Sequence, residues 1–89
     1  MRIISQDNVK DFPYEMCTIW VIENKIFASP IGEPDTEAVM SEYSTREKAE
    51  KAMQMLHDNY AYNWKLEHGL QTYYGDEPIV FRFPAEDEL

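Results

Sequence analysis

Few side chains in these 89 residues could carry chemistry, and each pattern they make is incomplete. His57 and His68 stand eleven positions apart. On a continuous helix that puts them on one side but three turns apart, too far to share an ion. His57 and Asp58 are neighbours in sequence, and adjacent helical residues do not face one another. Cys17 is the only cysteine, which excludes an intrachain disulfide and a cysteine metal cluster. It falls in a strand-like stretch with no local cation to favour the thiolate, so it reads as an inert buried thiol. Asp76-Glu77 pairs two carboxylates in a turn-like setting, whereas general acid catalysis needs a desolvated cleft. Gly32, Gly69 and Gly75 are scattered and build no phosphate-cradling loop. The expectation is a chain with no catalytic, cofactor-binding or metal-binding residues, which is to say not an enzyme.

The remaining chemistry is that of surfaces. Tyr60, Tyr62, Trp64, Tyr73 and Tyr74 form an aromatic-rich stretch, and such rings recur where a protein partner is anchored or a planar ligand stacked. Tyr60 and Trp64 belong to a helical core stripe, which leaves Tyr62, Tyr73 and Tyr74 for a surface. Seventeen acidic against eight basic residues give a net charge of -9, and the charge is segregated. Residues 1–45 carry -5, residues 46–68 are neutral and residues 69–89 carry -4. Phosphate affinity comes mainly from Lys and Arg, so direct nucleic acid binding is disfavoured, as is an anionic membrane surface. A one-signed field favours encounter with a basic protein. The residues expected to bind such a partner are Trp20, Tyr62, Tyr73, Tyr74, Asp76, Glu77, Glu86 and Glu88.

These residues must be positioned by one small domain spanning 1–89, with 85–89 read as a solvated acidic tail. Strand patterns cover Arg2 to Ser5, Glu15 to Glu23, Ile26 to Ser29, Ala38 to Tyr43 and Ile79 to Phe83. Pro78 and Pro84 bound the last of them, and Asn24-Lys25 reads as the break that permits a hairpin. Ser44-Thr45-Arg46-Glu47 fits a capping box, and Ala49, Ala52, Met53, Leu56, Tyr60 and Trp64 follow as one helical stripe running toward His68. Glu47 and Lys51 are spaced as an i,i+4 pair on the opposite side. The fold class is therefore α+β, an antiparallel sheet of three to five strands with one long helix packed on one face. In the stretch Glu15 to Glu23 both faces are apolar: Cys17, Ile19 and Val21 on one, Met16, Thr18, Trp20 and Ile22 on the other. A helix covers only one face. Trp20 and its neighbours must then meet a loop, the segment Leu70 to Tyr74, a second copy in a homodimer, or a partner.

No apolar stretch is long enough for a signal sequence or a membrane span, and the single cysteine suits a reducing cytoplasm. The opening Met1 to Asp7, the Pro13-Tyr14-Glu15 that follows, Tyr43 to Leu56, and the Phe-Pro with acidic residues at 83–87 resemble a group of small proteins carried by phages and mobile elements of low-GC Gram-positive bacteria. The resemblance covers roughly the first third and the helix start, and it does not extend to His57 to Gly75. It implies an accessory protein that binds and inhibits a host or defence protein, in the manner of anti-CRISPR proteins or nucleic-acid mimics. Two rival expectations are a small-molecule binder, such as a sponge for a signalling nucleotide, with Trp20, Tyr62, Tyr73 or Tyr74 as stacking planes, and a structural homodimer without a specific partner.

Overall fold

The computed structural model describes residues 1–33, 35–67 and 80–89. In chain order it contains β1 (Arg2–Ile4), β2 (Asp11–Pro13), a 3-10 turn at Tyr14–Met16, β3 (Cys17–Ile22), β4 (Lys25–Pro30), β5 (Ala38–Glu42), α1 (Arg46–Glu67), β6 (Val80–Arg82) and a 3-10 turn at Glu86–Glu88. The class is α+β. The strands divide into two three-stranded sheets, ordered β2-β1-β6 and β3-β4-β5. The first is mixed, since β1 pairs antiparallel with β2 and parallel with β6. The second is antiparallel throughout.

The antiparallel sheet is the meander expected from the β-branched run at 18–22. Its hairpin turns one residue earlier than Asn24-Lys25: Ile22 pairs with Lys25 across Glu23-Asn24. Glu23 takes the positive φ, 55°, that a primed two-residue turn requires at its first central position. Asn24 then ties the turn to the entrance of the helix, its backbone carbonyl accepting from the Tyr43 N–H at 2.9 Å and its side-chain amide donating to the Tyr43 carbonyl at 2.5 Å. Between β4 and β5 the register slips at Ile26/Phe27. The bulge turns two successive residues, Met40 and Ser41, inward, and both are buried.

The helix begins at Arg46, one residue later than a capping box on Ser44 would set it. Thr45 is the cap, its hydroxyl accepting from the Lys48 N–H at 3.2 Å. The i,i+4 pair that forms is Arg46 with Glu50 at 2.9 Å, and Glu47 pairs with no cation among the described residues. Ala49, Ala52 and Leu56 are fully buried, Met53 packs against the same cluster and α1 lies against β3 and β4. Ile3, Ile26, Met40, Tyr43, Phe81 and Phe83 complete a single core between the two sheets and the helix.

Gln6 joins the sheets. Its N–H donates to the Met40 carbonyl at 2.7 Å, its side-chain oxygen accepts from the Glu42 N–H at 3.2 Å, and its side-chain N–H donates to the Pro84 carbonyl at 3.1 Å. The Tyr43 phenol donates to that same buried carbonyl at 2.9 Å. No helix among the described residues is long and apolar enough to cross a membrane.

Candidate functional site

The face of the antiparallel sheet turned away from α1 presents an apolar row. Trp20 pairs with Phe27 and Phe27 with Val39, so one residue from each of three strands lies side by side. The Trp20 and Phe27 rings stack at 5.8 Å with 12° between their planes. Trp20 is half-buried, and Val39, Ile22, Ile31 and Met16 are all exposed. The two-sided strand therefore has the consequence its pattern implied: Cys17, Ile19 and Val21 pack toward the core, and among the described residues no helix lies over the Trp20 side.

Where β4 runs into its loop, an open groove of about 280 Å³ lies against Trp20, lined by Thr18, Ser29, Pro30, Ile31 and Gly32. Gly32 sits at φ 88°, a conformation that side chains rarely adopt, and the Ser29 hydroxyl fixes the loop by donating to the Glu33 carbonyl at 2.9 Å. The same loop carries Glu33, Asp35 and Glu37, all exposed and none ion-paired among the described residues. Glu23, at the hairpin on the opposite end of β3, is likewise exposed and unpaired among them. The groove is thus apolar at its floor and acidic around it, and among the described residues no cation lines it. That composition is poor for a phosphate-bearing ligand. Arg2, one of the cations such a ligand would have needed, is held by Asp11 at 2.5 Å.

The other acidic residues expected at the surface have partners inside the chain. One carboxylate oxygen of Glu86 accepts from the Ser44 N–H beside the start of α1 and lies 3.7 Å from the Lys48 ammonium. The Ser44 hydroxyl first, then the Ser44 N–H and Lys48, hold its carboxyl below the ordinary range. Glu88 accepts from the Ala85 N–H at 3.1 Å, and Leu89 packs against the core. Residues 85–89 are thus folded back onto the domain instead of standing off as a solvated tail. Tyr62 is exposed on α1. Tyr60, from the core stripe, meets the Tyr14 ring at 4.4 Å. Tyr73, Tyr74, Asp76, Glu77 and His68 lie outside the described residues, as do the side chains of Trp64 and Lys65.

A second groove, of about 260 Å³, runs on the helix side of β3 and is lined by Tyr14, Glu15, Cys17, Ile19 and His57. Partial burial pushes the Glu15 carboxyl up, but its hydrogen bond and ion pair with the N-terminal ammonium, 2.8 Å away, outweigh that and leave it below the ordinary range. Burial, and then the nearby Glu15 charge, push the Cys17 thiol up, which favours its unreactive protonated form. Among the described residues no cluster of His, Cys, Asp and Glu could hold a metal ion.

Sequence reasoning missed the β4–β5 loop as a site. Glu33, Asp35 and Glu37 alternate with Pro34 and Thr36 in the sequence, and that acidic spacing beside Ile31 was the available signal. Comparison with known proteins finds no matching family model, no matching curated protein and no matching solved structure.

Proposed function

We propose that this chain is a non-catalytic binding protein that docks on a basic protein through the outer face of the β3-β4-β5 sheet. The observation that carries the reading is the Trp20–Phe27–Val39 row with carboxylates at both ends that have no cation partner among the described residues. An aromatic anchor in an apolar strip with a charged rim is the usual build of a protein interface. The rim's sign selects a basic partner, and a site that ordinarily holds nucleic acid meets that description. The resemblance of the opening and helix-start residues to small phage and mobile-element proteins supports a partner among host or defence proteins, bound in the manner of an inhibitor.

The test is affinity capture of the tagged chain from bacterial lysate at low and high salt, repeated with Trp20→Ala and with a triple variant Glu33→Lys, Asp35→Lys, Glu37→Lys. A basic captured protein that is lost at high salt and with either variant supports the reading. Capture that ignores salt and both variants refutes it. The signalling-nucleotide rival is addressed by a thermal-shift screen with cyclic nucleotides, where stabilisation at saturating ligand would favour that rival instead.

A further inference from the structure

Among the described residues the antiparallel sheet also has an open edge beside the proposed docking face. In the order β3-β4-β5, β3 is an outer strand. The Ile31 N–H donates to the Met16 carbonyl at 3.0 Å, and Met16 stands opposite Ile31 in the register that continues through Thr18–Ser29, Trp20–Phe27 and Ile22–Lys25. In an antiparallel pair the hydrogen-bonded positions alternate. The even-numbered residues of β3 therefore spend their backbone groups on β4, while Cys17, Ile19 and Val21 direct N–H and C=O groups away from it. Among the described residues nothing accepts or donates at Ile19 and Val21.

Native sheets blunt such an edge with lysine, proline, an inward charge, a bulge or a covering element. Cys17–Ile22 has none of the first three and pairs with β4 without a bulge. The opposite edge shows the contrast, since Gln6 sits on β5 and occupies both the Met40 carbonyl and the Glu42 N–H. A groove flanks β3 on each side: the one beside Trp20 on the outer face, and the one at Tyr14, Cys17, Ile19 and His57 on the helix side. A strand laid along β3 would find backbone partners in its plane and, for alternate side chains, a recess on either face.

We infer that β3 accepts an extended segment of the basic partner as a fourth strand, a proposal that rests on the docking reading above. The flanking charges choose between occupants. Glu23, with no cation partner among the described residues, stands in the turn at one end of the strand, and Glu15, already paired with the N-terminal ammonium, in the 3-10 turn at the other. A second copy paired antiparallel along β3 would join two chains of net charge -9, with the Glu23 of each, which has no cation partner among the described residues, brought to the ends of the joint ladder. Repulsion between like charges opposes that pairing. A segment with apolar alternation and Lys or Arg at its ends instead places a cation beside Glu23.

The test is amide hydrogen exchange by NMR on the full chain, with Trp64→Phe so that fluorescence reports Trp20 alone. The probes are a short peptide of alternating valine and threonine flanked by lysines, the same peptide flanked by glutamates, and the lysine peptide N-methylated at every second residue. Ile19 and Val21 are expected to exchange fast in the chain alone, with Trp20 and Ile22 protected as internal controls. At lysine peptide ten times above its Kd, exchange at Ile19 and Val21 should slow about tenfold, and neither other peptide should produce this. If the lysine peptide shifts Trp20 fluorescence in a salt-sensitive way without slowing those amides, strand addition is overturned and the docking face stands. A peptide that does neither overturns strand addition and counts against the docking face too. Protection without peptide overturns the proposal as well, pointing to a second copy if it rises with protein concentration and to the chain's own segments if it does not.

Discussion

The buried carbonyl of Pro84 offers a sharp test of how the two sheets are held together. It accepts from the Tyr43 phenol at 2.9 Å and from the Gln6 side chain at 3.1 Å, so either donor alone leaves it satisfied. Tyr43→Phe removes one bond from an oxygen that keeps another, at a net cost of about 1 kcal/mol. Gln6→Ala removes the second bond together with the one at the exposed Glu42 N–H, where water replaces the lost acceptor, and should also cost about 1 kcal/mol. The double variant strands a buried carbonyl with no donor, which adds a desolvation penalty of ~1–3 kcal/mol to the sum of the singles. The coupling should therefore exceed by several-fold the ~0.3–0.5 kcal/mol within which independent sites add. A domain of 89 residues has a total stability of roughly 4–13 kcal/mol, so the double variant stays within reach of measurement. Urea denaturation of the four proteins, followed by far-ultraviolet circular dichroism, closes the cycle. Coupling below about 0.5 kcal/mol would show that water reaches the Pro84 oxygen, and the joint between the sheets would not be the sealed one described.

Three further outcomes follow from single positions. Glu23→Gly relieves a non-glycine residue at φ 55°, worth ~1–2 kcal/mol, against ~0.5–1 kcal/mol of added chain entropy, so a small net gain in urea midpoint is expected; a loss would show that the turn is not strained. The Ser41 hydroxyl is buried near the Tyr43 phenol but outside hydrogen-bond geometry, so Ser41→Ala should be neutral or stabilising by about 1 kcal/mol, and a clear destabilisation in thermal unfolding would reveal a bond there. The Ser5 hydroxyl first, then the Val9 N–H and Lys10, lower the Asp7 carboxyl to about 2. The unfolded chain then binds this proton more readily than the folded one, so the contribution is complete above the ordinary value of 3.8 and disappears as pH falls through about 2. Asp7→Asn should flatten that part of the acid-unfolding curve, and an unchanged curve would remove the assignment.

The elements most legible in the sequence were those whose pattern is local. The stripe at Ala49, Ala52 and Leu56 and the β-branched run at 18–22 need no distant partner to declare themselves, and both are where the spacing puts them. What escaped depends on residues far apart. Asp11–Pro13 is a three-residue strand with a proline, and it exists because β1 lies beside it. The split into two sheets follows from β6 pairing parallel to β1 across most of the chain, which period-two alternation cannot reveal. The helix cap moved to Thr45 because Glu86, some forty residues on, supplies an acceptor for the Ser44 N–H. For the site, Trp20 was legible from the two-sided strand, whereas the loop acids were not singled out because nothing in sequence says which carboxylates will find a cation.

That distinction between held and unheld carboxylates changes which part of the net charge can do work at a distance. A carboxylate paired with a cation presents a dipole whose field falls off faster than that of a lone charge, and diverting it to a partner sacrifices the bond it already has. Glu86, Glu15, Glu42, Glu50, Asp7 and Asp11 are in this position. Glu23, Glu33, Asp35 and Glu37 are not, among the described residues, and they lie on the hairpin and the loop that bracket the Trp20 row. Charge reversal at Glu86 should thus register first as loss of a contact at the start of α1, and reversal at Glu33, Asp35 and Glu37 as slower association with stability unchanged. For a basic partner, the encounter is governed by the sheet's outer face and the two turns beside it, where apolar area and unheld charge coincide.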